Sequence, residues 1–204
     1  MTSIVWDFDG TLANSYPGIV MATQKSLKEN FDINISKDSI YKEALKTSVR
    51  KLASDLLNGD DDKVKTFYKS YKLHEKTFHD QIKLMPHAKI ALEYCKVQGY
   101  QQFIVTHRDT SIFEVAKRLG IADYFTEMVS AEDGHVRKPD SEMLDYLINK
   151  YSLDPKDTWV VGDRKIDIDF GDSVRAKTIL LSDQKVDFKV DQQIKSLQEI
   201  NKVL

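Results

Sequence analysis

Five short, largely apolar stretches constrain the fold more than any other feature: residues 3–8, 102–106, 127–129, 158–161 and 178–181. They do not alternate polar with apolar positions, so each suits a strand buried on both faces. Helical signals lie between them. The run Ser111 to Leu119 opens on Ser111 and Glu114, read as a capping box, and meets Gly120 as a left-handed stop. Another helix is expected to begin near Pro86 and end before Gly99. Strands alternating with helices predict an α/β domain, a parallel sheet covered on both faces, whose ligands bind beyond the carboxyl ends of the strands.

Residues 15–81 break this rhythm with helical spacing only. Ile19, Val20, Thr23 and Leu27 form one stripe, Leu52, Leu56 and Leu57 a second, and Val64, Phe67, Tyr68, Tyr71 and Phe78 a third. They predict a helical bundle inserted after the first strand, with residues 1–14 and 82–204 forming the α/β core. Asp60, Asp61 and Asp62 read as caps on a helix's positive end rather than as a cation site. Ile194, Leu197 and Leu204 fall on one side of an expected closing helix.

Composition excludes several classes. With 204 residues, 41% of them hydrophobic, the chain can bury a real core. Thirty basic against thirty-two acidic residues leave a charge of −2, which gives no field to attract nucleic acid. A single cysteine, Cys95, allows neither an internal disulfide nor a thiolate zinc site. The first apolar segment is interrupted by Asp7 and Asp9, and no run reaches membrane-spanning length. The expectation is a cytoplasmic protein, monomer or weak homodimer, with neither membrane nor nucleic-acid partners.

Acids gather where such a site belongs. Asp7-Phe8-Asp9-Gly10-Thr11 directly follows a buried strand, and alternation turns Asp7 and Asp9 toward the same side. Paired carboxylates repel unless a cation or proton separates them, so magnesium beside one and a shuttled proton on the other would explain the pair. A simple turn satisfied by Asp9 and Thr11 is the competing reading. Gly162-Asp163 ends another apolar strand, and Asp167 shares its face if a helix starts there, so both can reach one metal. Thr106 ends a third strand before a helix start, a seat for an oxyanion; His107 and Arg108 follow as exposed loop residues that can touch substrate or do nothing. Lys138, before Pro139, can balance a dianion, though one lysine among many proves little.

The order of these four segments resembles the haloacid dehalogenase superfamily, in its phosphatase-like branch with a helical cap after the first motif. Asp7-Phe8-Asp9-Gly10-Thr11 matches the first motif, Thr106 the second, Lys138-Pro139 the third, and Gly162-Asp163 with Asp167 the fourth. The resemblance implies a Rossmann-like core and a magnesium-dependent phosphatase acting on a small phosphorylated metabolite of the phosphoglycolate or sugar-phosphate type. By that resemblance Asp7 is the nucleophile and Asp9 the acid and base; Thr106, Lys138 and backbone near His107 hold the phosphoryl oxygens. Magnesium falls to Asp7, the main-chain carbonyl of Asp9 and Asp163, with Asp167 in support. Tyr16, Arg50 and Lys51 in the cap become candidates for reading the substrate's far end, against the plainer role of solvated helix residues.

Asp9 argues against carbon–halogen chemistry, because true dehalogenases lack this second acid. Ser141 and Arg175 depart from the usual proline and glycine, which bears on local turns only. Two other readings remain open: a β-phosphoglucomutase-like phosphomutase, and a binding or regulatory protein that has kept the fold without turnover.

Overall fold

The computed structural model describes all 204 residues, which divide into two compact units, Met1–Asn14 with Lys83–Leu204, and Ser15–Ile82. The first unit is built on six parallel strands: β1 (Ser3–Trp6), β4 (Gln101–Val105), β5 (Glu127–Val129), β6 (Thr158–Gly162), β7 (Lys177–Leu181) and β8 (Gln192–Ile194). Their order is β5-β4-β1-β6-β7-β8, with Val5 opposite both Phe103 and Val160. A separate antiparallel pair, β2 (Ala13–Asn14) and β3 (Lys83–Leu84), stands where the chain leaves and re-enters this unit.

Both faces of the sheet are covered, which is why its central strand β1 is buried along its whole length and β4 and β6 along most of theirs. On one face Val5, Phe103, Val105, Val129 and Val160 pack against Met143, Leu144 and Leu147 of α7 (Glu142–Tyr151) and Phe170 of α8 (Lys165–Ser173). The opposite face meets α5 (Ala88–Val97). There Trp6 Nε1 donates to Gln102 Oε1 at 3.1 Å, and Gln102 Nε2 donates to the Leu92 carbonyl at 3.0 Å, so the one amide buried in that layer is satisfied. Burying side chains such as Trp6, Phe8 and Phe103 contributes about 1.5–3 kcal/mol each.

The strand order reverses around β1, since β4 and β5 lie on one side and β6, β7 and β8 on the other. In α/β sheets such a reversal is where ligands bind, here beyond the carboxyl ends of β1, β4 and β6.

The second unit consists of α1 (Tyr16–Phe31), α2 (Lys37–Lys46), α3 (Val49–Leu56) and α4 (Asp61–Lys76). Leu27, Ala53, Leu57, Val64 and Phe67 form its main cluster. Asp60 caps α4, its Oδ1 accepting from the backbone of Asp62 and Lys63 at 3.1 Å. The three apolar stripes predict three helical segments; α2 is additional, because only Ile40 and Ala44 of its ten residues are buried.

Two local expectations need correction. The helix α6 (Ser111–Arg118) is not opened by a Ser111–Glu114 box: Thr110 precedes it, and Asp109 Oδ1 accepts from the Ser111 N–H at 3.1 Å. The short carboxylate two residues upstream reaches that donor first. Ile194 belongs to strand β8 rather than a closing helix; only Leu197–Glu199 and α9 (Ile200–Val203) turn helically after it. Pairing with β7 satisfies an otherwise open sheet edge, a tertiary effect absent from local periodicity. Arg175 ends α8 by adopting the left-handed conformation itself (φ +63°), and Ala176 N donates to Gly171 O at 3.0 Å.

Candidate active site

Asp7 emerges from β1 still in sheet register, its N–H bonded to Val161 O at 2.8 Å. Gly10, at φ +92°, then turns the chain so that Leu12 and Ala13 donate back to Phe8 O at 3.0 and 2.9 Å. Asp163 follows β6, and Asp167 lies in the first turn of α8, where its Oδ2 accepts from Arg164 N at 3.3 Å. Gly162 permits this approach: a Cβ there would stand 2.2 Å from that of Asp167.

The carboxylate oxygens of Asp7, Asp163 and Asp167 converge to within 4.8 Å of one another. Into this cluster Lys138, 4% exposed, places its Nζ 2.6 Å from both Asp7 Oδ1 and Asp167 Oδ1. Thr11 Oγ1 donates to Asp163 Oδ1 at 3.2 Å. Asp7 Oδ2 is buried without a hydrogen-bond partner. A buried carboxylate oxygen left unsatisfied among three acids suits a hard divalent cation held by oxygen ligands. Asp9 is not in this cluster; its carboxylate is held by Arg108.

The electrostatics follow from burial and the shared ammonium. Burial, and then the neighbouring charge of Asp167, push Asp7 up to about 6 against the pull of Lys138 and Arg164. Burial would raise Asp167 too, but Lys138 and Arg164 outweigh it and hold that carboxyl below its ordinary value. Burial likewise opposes charge on Lys138, yet Asp167 and Asp7 keep its ammonium above the usual range. Burial, followed by the positive charges of Lys138 and Arg164, pushes His107 down to about 3; its Nε2 is buried without a partner.

Thr106 sits at the end of β4, and its Oγ1 accepts from Arg108 N at 3.1 Å, folding the backbone at the strand exit. Arg108 was expected among exposed loop residues and is instead 7% exposed. Its Nη2 donates to Asp9 Oδ1 at 2.7 Å, and its Nε lies 3.1 and 3.3 Å from Oδ1 and Oδ2. Its place three residues beyond the end of β4, two after Thr106, is the only sequence signal for it.

The candidates in the helical unit are placed differently. Tyr16 is buried with Ile19 and Ala44, its ring edge-on to Tyr41 at 5.4 Å. Arg50 lies over the Tyr68 ring at 5.8 Å, and exposed Lys51 pairs with Asp55. A groove of about 560 Å³ in the same unit is lined by Lys25 and Lys28, which pair with Glu29 and Asp32, and contains none of the acids described above.

Residues 4–181 match the family model for haloacid dehalogenase-like hydrolases. The chain is a haloacid dehalogenase-like hydrolase. Among named relatives, the phosphoglycolate phosphatase of Pasteurella multocida (strain Pm70) is 28% identical over 179 residues, covering 81% of this hydrolase and 78% of the relative. A Clostridium perfringens protein provisionally named pyrophosphatase PpaX is 25% identical over 213 residues and covers 98% of both chains. A haloacid dehalogenase-like family hydrolase of Streptococcus pneumoniae shares the hydrolase's fold at TM-score 0.86 and 19% identity, covering 100% of this chain and 98% of that one.

Proposed function

We propose that this hydrolase is a magnesium-dependent phosphatase that cleaves a small phosphomonoester through an aspartyl-phosphate intermediate. The observation that carries the reading is the juxtaposition of Asp7, Asp163, Asp167 and Lys138, in which a buried carboxylate keeps one oxygen on an ammonium and the other unsatisfied. The names of the Pasteurella and Clostridium relatives support phosphoryl chemistry and leave the leaving group open.

In the first step an Asp7 oxygen bonds to phosphorus while the ester P–O bond breaks, and Asp9 gives its proton to the departing alkoxide. In the second, Asp9 takes a proton from water, the water oxygen bonds to phosphorus, and the Asp7–phosphorus bond breaks to release phosphate. Lys138 draws negative charge off the transferring group and orients Asp7; Thr106 and the backbone at His107 offer donors to the phosphoryl oxygens. Asp7, Asp163 and the Asp9 carbonyl would hold the magnesium ion, with Asp167 supporting it; when bound, it offsets the repulsion between Asp7 and an anionic phosphate.

The test is inorganic phosphate release from a panel of small phosphoesters, with magnesium and after chelation. Release that disappears with chelation supports the reading. Rearranged sugar phosphates without free phosphate would point to a phosphomutase, and metal binding with no turnover to a retired site.

A further inference from the structure

Asp9, the residue assigned to proton transfer, has both carboxylate oxygens engaged by one side chain. Arg108 Nη2 and Nε donate to Oδ1 at 2.7 and 3.1 Å, and Nε approaches Oδ2 at 3.3 Å. The Arg108 side chain is 4% exposed and that of Asp9 17%. The arginine's main chain is fixed on both sides, its N–H on Thr106 Oγ1 and its carbonyl accepting from Ala131 N at 2.9 Å. Its guanidinium carbon lies 5.9 Å from the Phe8 ring centroid, and Nη1 is 3.5 Å from Ser111 Oγ. A guanidinium fixed in this way is a preformed fork for a carboxylate or phosphate, whoever supplies it.

An acid that protonates a leaving oxygen must turn one of its own oxygens toward it. Asp9 cannot do so while the fork holds its carboxylate. We propose that Arg108 exchanges Asp9 for a second anionic group of the substrate, so that the correct substrate frees Asp9 as it binds. The inference rests on the phosphatase reading and narrows it to phosphomonoesters with a carboxylate or second phosphate close to the ester oxygen. Neutral esters leave the fork on Asp9 and react slowly even when bound. Arg108 is thus a specificity-determining residue whose effect reaches kcat as well as KM.

The experiment compares 2-phosphoglycolate with 2-hydroxyethyl phosphate, which replaces the carboxylate by a neutral hydroxymethyl group, using the full chain with magnesium. The wild type should prefer phosphoglycolate on the order of 100-fold in kcat/KM. Arg108→Met should bring the ratio close to one, and Arg108→Lys should restore part of it. Equal use of both esters by the wild type, or an equal loss for both in Arg108→Met, would overturn the proposal and leave Arg108 a structural brace. p-Nitrophenyl phosphate is a separate control for the phosphatase reading. Calorimetric binding of the same two esters to Asp7→Asn and to Asp7→Asn/Arg108→Met needs no turnover. If no ester is hydrolysed, the phosphatase reading fails, and tighter phosphoglycolate binding that is lost with Arg108 still supports the fork as the anion reader. Indifference to Arg108 there overturns it.

Discussion

Lys138 Nζ lies 2.6 Å from Asp7 Oδ1, a contact between side chains 1% and 2% exposed and separated by 131 residues of sequence. The same ammonium reaches Asp167 at 2.6 Å, so a single cation holds together two buried carboxylates. Neither carboxylate tolerates its loss. Lys138→Met should therefore remove turnover and cost about 3–5 kcal/mol of stability near neutral pH, because two buried charges lose their partner. Chemical denaturation with and without magnesium checks this. A variant as stable as the wild type in chelator would show that the ammonium contributes no net stability.

Asp7→Asn acts on the same pair with the opposite balance. It keeps an acceptor for Lys138 and removes the charge that burial and Asp167 disfavour. Turnover should be abolished while the melting temperature in chelator stays level or rises. Substantial remaining phosphate release would exclude Asp7 as the nucleophile.

For Asp9→Asn the loss should depend on the leaving group. An alkyl phosphate needs its departing oxygen protonated and should slow by about 10²–10⁴-fold, whereas an aryl phosphate should lose much less in the aspartyl-phosphate-forming step. Rapid-quench measurement of that step separates it from hydrolysis, in which Asp9 acts again. Equal losses for alkyl and aryl esters would remove Asp9 from the acid role.

Much of this arrangement is legible in the sequence because both of its causes are local. Strands buried on two faces must be apolar, and Asp7, Thr106 and Asp163 stand at their carboxyl ends. Asp167 could be placed beside Asp163 from helical spacing alone, and Lys138 from the order of the motifs. Arg108 could not be placed, because its burial depends on Asp9, 99 residues away, and its neighbours read as an exposed loop. β8 escaped for a related reason: Gln192 and Gln193 are exposed, and only Ile194 turns inward on the edge of β7. α2 is so charged that its two buried residues make no visible stripe. What was missed depends on tertiary partners rather than on periodicity.

His107 gives a pH dependence of stability with a definite sign. Its folded value of about 3 lies below the ordinary 6.5, so below about pH 6.5 the unfolded chain takes a proton that the folded one refuses. The stability it confers above that pH is lost progressively as pH falls toward 3. Asp7, raised to about 6, works the other way between about 4 and 6, so the comparison belongs in an Asp7→Asn background. There the stability advantage over His107→Gln should shrink by about 2 kcal/mol between pH 7.5 and 5, from about 1.4 kcal/mol per pH unit below 6.5. Denaturation curves in chelator measure it; a gap independent of pH would mean that His107 is not held neutral.

Gly162→Ala tests whether the site depends on backbone proximity rather than on side chains alone. The new methyl would stand 2.2 Å from the Asp167 Cβ and 2.5 Å from its Oδ2, closer than packed atoms can approach. Either the start of α8 moves or Asp167 turns away. Turning away breaks its bond to Lys138 and withdraws one of the three carboxylates that converge on the candidate cation position. Overpacking of this kind costs about 1–3 kcal/mol, and magnesium affinity should fall at least tenfold through the displaced carboxylate. Calorimetric titration of the metal into the folded variant reads the second effect apart from the first. Unchanged affinity in a destabilised variant would place Asp167 outside the metal's supporting shell and leave Asp7 and Asp163 to hold the ion.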